Sequence, residues 1–212
     1  YQVTPELNSA FSGSDHVYLI KGDRSLLNKL RRSPLAQATE FIEPAYIYTI
    51  PEMVNTPAEL RRQWLTAPIA NEAPVIDFQS GFPNDPDYHK QWNFRAINLE
   101  AAWKETRGSG VTVAVIDTGI SSVPDLQQTQ LVKGYDFVHD RESAIDDNGH
   151  GTHVAGTIAQ STNNRLGVTG IAYEAKLMPL KVLSAEGGGN IADIAEAIKF
   201  AADHGADVIN MS

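Results

Sequence analysis

VTVAVIDTG, residues 111–119, is the stretch from which the fold can be read. Val111 to Ile116 is a continuous run of mostly β-branched side chains, as expected of a strand buried on both faces. It ends in Asp117-Thr118-Gly119, which is turn chemistry. A strand covered on both faces needs helices around it, and the chain on either side supplies them. Lys176–Leu183 reads as a second strand. Residues 190–204 read as a helix, with Asn190 as its cap, Ile191, Ile194, Ala195 and Ile198 along one face, and Gly205 at its C-terminal end. Residues 207–211 (DVINM) then start a third buried strand. Strands alternating with helices from residue 85 onward predict an α/β fold with a parallel sheet and helices on both faces.

Ahead of residue 85 the pattern changes. Residues 16–22 read as a strand, 23–33 as a helix capped by Asp23, and 39–50 as one or two further strands, a small α+β unit. Residues 51–84 bring Pro51, Pro57, Pro68, Pro74, Gly81, Pro83 and Asn84 around a short helical pattern at AELRRQWL. They read as a linker over 51–82, the alternative being a loop packed along one larger domain.

The 212 residues are 42% hydrophobic and 20% charged, enough for a buried core. With no cysteine, neither disulfides nor thiolate chemistry is available. Residues 1–82 hold 7 Lys/Arg against 9 Asp/Glu (net −2), and residues 83–212 hold 10 against 17 (net −7). This surplus of acid excludes nucleic acid as the expected partner and suits cation sites. No apolar run reaches the roughly 18 residues that would span a bilayer, so no membrane partner is expected. Tyr1 opens without a basic and apolar leader, so an export signal is expected to be removed or absent.

Catalytic groups in such a sheet gather beyond the carboxyl ends of the strands, where Asp117 stands. Asp-Thr-Gly alone also fits a plain turn, an aspartic-protease loop or an ATPase phosphate loop. The second motif is more telling. HGTHVAGTIA, residues 150–159, follows an Asp146-Asp147-Asn148-Gly149 turn and reads as a helix with histidine at its start. A general base needs one ring nitrogen facing a cleft and the other oriented by an acceptor, which a helix end provides. Gly151 and Gly156 would admit close backbone approach. His153 lies about one turn on, but zinc pairs use spacing four with a Glu between, and Thr152 is not one.

VAVIDTGI at 113–120 and GHGTHVAGTIA at 149–159 resemble the Asp and His signatures of the subtilisin-like serine proteases, with thermitase-like features. The glycine-rich stretch and VINMS match as well. The resemblance covers residues 83–212, taken as the N-terminal part of a peptidase domain. It implies that Asp117 orients the imidazolium and that His150 is the general base of a Ser-His-Asp triad performing acyl transfer, with His153 structural. Residues 1–50 would be a ferredoxin-like prodomain whose closing strand, FIEPAYIYTI, covers the cleft. The alternative is an N-terminal interaction domain.

The resemblance further implies an edge strand at Gly187-Gly188-Gly189 that pairs with a peptide or protein substrate, apolar subsites at Leu183 and Ile191, and a backbone substrate contact at Ser212. Read without the resemblance, the three glycines are a flexible loop. Calcium is the implied ion, held by the carboxylates of Asp85 and Asp125, the Asn164 side chain and the carbonyls of Ser161, Leu166 and Val168. A second ion site would use Asp136 and the turn after it, with Asp140, Asp146 and Asp147 as substitutes, although Arg141 stands where an acid is often found. The plain reading of that stretch is a solvated acidic loop.

The family's Gly-Thr-Ser-Met-Ala stretch and oxyanion asparagine are missing from residues 1–212. A second polypeptide carrying the serine and the neighbouring strands is therefore expected, with a secreted or periplasmic location. The alternative function is a non-catalytic peptide-binding scaffold.

Overall fold

The computed structural model describes residues 82–212 and, ahead of them, residues 2–4, 19–22, 24–37, 44 and 46–49. The front stretches contain β1 (Gln2–Thr4), β2 (Leu19–Lys21), α1 (Arg24–Arg31) and β3 (Ile47–Thr49). β1 pairs antiparallel with β2, a strand the sequence reading lacked. Asp23, the outer parts of the expected strands and residues 51–81 of the expected linker lie outside the described residues.

From residue 82 the elements are α2 (Trp92–Ala96), α3 (Leu99–Glu105), β4 (Thr112–Asp117), β5 (Gln130–Leu131), β6 (Tyr135–Asp136), α4 (His150–Ala159), β7 (Lys176–Lys181), β8 (Gly188–Asn190), α5 (Ile191–Asp203) and β9 (Val208–Met211). The sheet runs β5-β7-β4-β9, with β6 also on β7, and every pairing is parallel. β4 and β7 lie in register from Thr112–Lys176 to Asp117–Lys181, so both strands end at the same level.

Alternation along these strands builds a core on each face. Ala114, Ile116, Met178 and Leu180 pack with Tyr135, Phe137 and the α5 residues Ala197, Phe200 and Ala201. Val113, Val115 and Leu177 pack with Leu126 and the α4 residues Ala155 and Ala159. A third cluster, Phe94, Leu99 and Trp103, anchors α2 and α3, and the Trp103 indole N–H donates to Ile171 O at 2.8 Å. α5 begins as expected, with Asn190 Oδ1 accepting the Asp193 N–H at 3.0 Å.

β9 forms where expected but is not buried. Val208, Ile209 and Met211 are exposed, because among the described residues this strand pairs only with β4 and nothing covers its outer side.

Asp193, in the first turn of α5, has its carboxyl pushed up to about 6 by burial, reinforced by the charge of Asp136 and opposed by the Asn190 amide donor. A carboxyl raised above its unfolded value of 3.8 supports the fold while protonated, and that support fades as pH rises through about 6. Asp193→Asn is expected to gain melting temperature over the wild type between about pH 4 and about pH 6 and to hold that gain at higher pH. A difference that does not grow over that range would count against this account.

Candidate active site

Asp117 closes β4 with a side chain that has no solvent exposure. An ionised carboxylate there requires donors. Thr118 N–H donates to Oδ1 at 2.7 Å, and His150 Nδ1 lies 2.8 Å from Oδ1 and 2.9 Å from Oδ2. With Nδ1 facing a carboxylate, that nitrogen carries the proton and Nε2 is left as the basic one. The His150 side chain is 18% exposed, so the pair sits at a surface rather than inside the core.

Close approach of α4 to the Asp117 turn makes this contact possible. A Cβ at Gly151 would stand 2.2 Å from Gly119 O and 3.1 Å from Asp117 Oδ1, so no side chain fits. Gly156 differs from expectation: a Cβ there would meet only the Gln160 side chain, and no other backbone approaches it.

Asp146, expected only as an alternative ion ligand, organises the approach to His150. Its Oδ1 accepts the N–H groups of Asn148 and Gly149 at 2.9 Å and the Thr118 hydroxyl at 2.8 Å, while Oδ2 accepts from Thr152 N at 2.9 Å and from the Thr152 hydroxyl. A carboxylate at the start of α4 suits the unpaired amides and the helix dipole there. The sequence signal was an Asp four residues before the histidine with a Thr two residues after it. His153 is exposed and not part of the pair. Among the described residues, no three His, Asp or Glu side chains form a metal cluster.

Gly188 and Gly189 do form an edge strand, β8, with Gly187 just before it. The strand lying along it is β3, antiparallel, with Tyr48 opposite Gly189 and Thr49 opposite Gly188. Ile191 N–H donates to Tyr46 O at 2.9 Å. Beside this ladder is an apolar cavity of about 440 Å³, lined by Leu183, Ile191, Ile194, Met211 and Ser212 together with Tyr48.

Of the expected ion ligands, Asp85, Asp125 and Asn164 meet at one loop, and Ser161, Leu166 and Val168 bond there through their N–H groups. Asp85, fully buried, accepts from Asn163 N at 2.7 Å and Asn164 N at 3.2 Å. Asp125 accepts from Asn164 Nδ2 at 2.7 Å, from Val168 N at 3.4 Å, and from Gln160 Nε2, a residue absent from the expected set. Ser161 N–H donates to Asp125 O at 2.9 Å, and Leu166 N–H donates to Asn164 Oδ1 at 2.9 Å. Burial raises both carboxyls above their ordinary range, and the charge of Asp85 raises Asp125 further. Asp85 is fully buried and Asp125 partly so, and the partners of both carboxylates are N–H donors of the backbone and of the Asn164 and Gln160 amides.

The other acidic positions have different partners. Asp136 is bonded to His139 Nδ1 at 2.9 Å and to Arg141 Nε at 3.0 Å, so the guanidinium supplies its counter-charge. Asp140 accepts from the Tyr135 hydroxyl, and Asp147 pairs with Lys181.

Comparison with known proteins places this geometry. Residues 108–212 match the family model described as the subtilase family. A thermophilic serine proteinase of Bacillus sp. (strain AK1) is 44% identical over 133 residues, covering 61% of this chain and 33% of that protein. Thermitase of Thermoactinomyces vulgaris is 41% identical over 132 residues, covering 61% and 47%. A solved protease of Pseudoalteromonas arctica PAMC 21717 superposes with TM-score 0.57 at 36% identity, covering 62% of this chain and 50% of that one. The chain thus spans about a third to a half of the length of these curated relatives. With a parallel sheet that ends in a buried aspartate, a histidine opening the next helix, and relatives more than 40% identical, residues 108–212 of the chain belong to the subtilase family.

Proposed function

We propose that this chain provides the acid and base of a serine endopeptidase, with Asp117 orienting His150 and His150 acting as the general base. The supporting observation is the bond from His150 Nδ1 to the buried Asp117 carboxylate at 2.8 Å. Held there, the imidazole takes a serine hydroxyl proton at Nε2 as the serine attacks a peptide carbonyl, then returns it to the leaving amine. Asp117 stabilises the imidazolium in between. The serine and the oxyanion amide lie outside the motifs of residues 1–212, either in a C-terminal part of the peptidase domain or in a complementing polypeptide. A fluorophosphonate probe should label that serine in the wild-type protein, and His150→Ala should abolish the labelling. Labelling that survives the substitution would defeat the assignment of His150, and a wild-type protein that takes no label would leave a peptide-binding scaffold.

In this reading residues 1–50 form the prodomain, 51–82 the linker and 83–212 the front of the peptidase domain. β3 lies where a substrate strand would pair with Gly187–Gly189, with Leu183, Ile191 and Ser212 around the adjoining subsite. A peptide of residues 43–50 (EPAYIYTI) added to the protein lacking residues 1–82 should therefore raise KM and leave kcat unchanged. Inhibition that lowers kcat alone would contradict this placement.

Asp85, Asp125 and Asn164, with carbonyls of Ser161, Leu166 and Val168, would hold calcium, whose charge would offset the two neighbouring acids. Calcium is expected to raise the melting temperature of the wild type, with EGTA reversing the gain, and Asp125→Asn should shrink it. Equal melting temperatures with and without calcium would remove the site. A location outside the cytoplasm agrees with the printed name of one relative, an extracellular protease of Xanthomonas campestris pv. campestris, 40% identical over 172 residues.

A further inference from the structure

Lys181, the last residue of β7, has no exposed side-chain surface. A buried ammonium is tolerated only when its protons find acceptors. This one has three: Thr118 O at 2.8 Å, Leu183 O at 2.7 Å and Asp147 Oδ1 at 2.8 Å. Three donors diverging from one nitrogen suit lysine, where the planar fork of arginine would not reach three separate segments.

Each acceptor belongs to a different part of the site. Thr118 follows Asp117 and donates its own N–H to that carboxylate, so one residue carries the contact from the ammonium to the acid. Asp147 lies in the loop before His150, between Asp146, which binds the N–H groups of that loop, and Asn148, whose Oδ1 accepts the His150 N–H at 3.1 Å. Leu183 lines the apolar cavity at the β8 edge. The register places Lys181 opposite Asp117, so the two side chains leave neighbouring strands on the same face.

We propose that Lys181 is a positioning residue for the peptidase reaction. Its ammonium ties the Asp117 turn, the loop before His150 and the substrate edge to one point, so that acid, base and bound peptide keep a single relative geometry. The proposal rests on the assignment of Asp117 and His150 given above. Asp147, 45% exposed, can be changed without opening the core.

The test compares wild type, Lys181→Met, Lys181→Arg and Asp147→Asn. In the full chain, long-range ¹H–¹⁵N correlation reads the imidazole nitrogens of His150, with His153 and His204 as internal references. Lys181→Met and Asp147→Asn are expected to shift the His150 nitrogens and leave the references in place. In the protein with its complete peptidase domain, Lys181→Met should lower kcat per fluorophosphonate-reactive site, by up to about 100-fold, with KM nearly constant. Lys181→Arg should recover part of the loss.

A folded Lys181→Met whose His150 shifts match the wild type overturns the proposal, as does an unchanged kcat. If Lys181→Met does not fold, Asp147→Asn decides in the same way: unchanged His150 shifts and kcat overturn it. The nitrogen shifts need no turnover. A wild-type protein that takes no fluorophosphonate label would refute the peptidase reading separately, while the His150 shifts still decide the role of Lys181.

Discussion

Complete burial of the Asp117 carboxylate is the constraint on which the rest of the site depends. A charge without water must be met by donors held in place, and here these are a backbone N–H and an imidazole. The histidine is 33 residues away in sequence and has to be delivered to within 3 Å. That requirement explains the glycine at 151, because any Cβ would strike the backbone of the Asp117 turn. It also explains why the loop before the histidine is so heavily bonded: a mobile loop would leave the buried acid unpaired for part of the time.

Thr118 joins these demands in one residue. Its N–H serves Asp117, its hydroxyl donates to Asp146 and accepts from Gly151 N–H at 2.9 Å, and its carbonyl accepts from Lys181. The polar network therefore has no slack, since shifting any member disturbs a neighbour that is itself buried. The apolar layers beneath serve the same end. They hold β4 and β7 in register, and the register puts Asp117 and Lys181 at the same height.

The β8 edge and the acids at 85 and 125 sit at the margins of this arrangement. The β8 edge offers backbone groups to any extended strand, and β3 occupies it in the described structure. The two acids at 85 and 125 lie more than thirty residues apart in sequence yet face one loop, 160–168. Their raised carboxyls reflect chiefly the loss of water around each, with the charge of Asp85 adding a smaller push on Asp125.

Much of this was legible in the residues themselves. Strand β4, helices α4 and α5, the Asn190 cap and the aspartate and histidine motifs are local patterns, governed by side-chain periodicity, caps and turns within a few residues. Other features depended on distance in space. The sequence alone read Asp146 and Asp147 as possible ion ligands and said nothing of Lys181, Gln160 or β1. It expected β9 to be buried and Gly156 to receive neighbouring backbone. Which acid meets an amide, which meets a cation and which strand lies uncovered is decided by residues far apart along the chain. Only the packed sheet brings those residues together, because hydrogen bonds and charge pairs act over a few ångströms whatever the sequence separation.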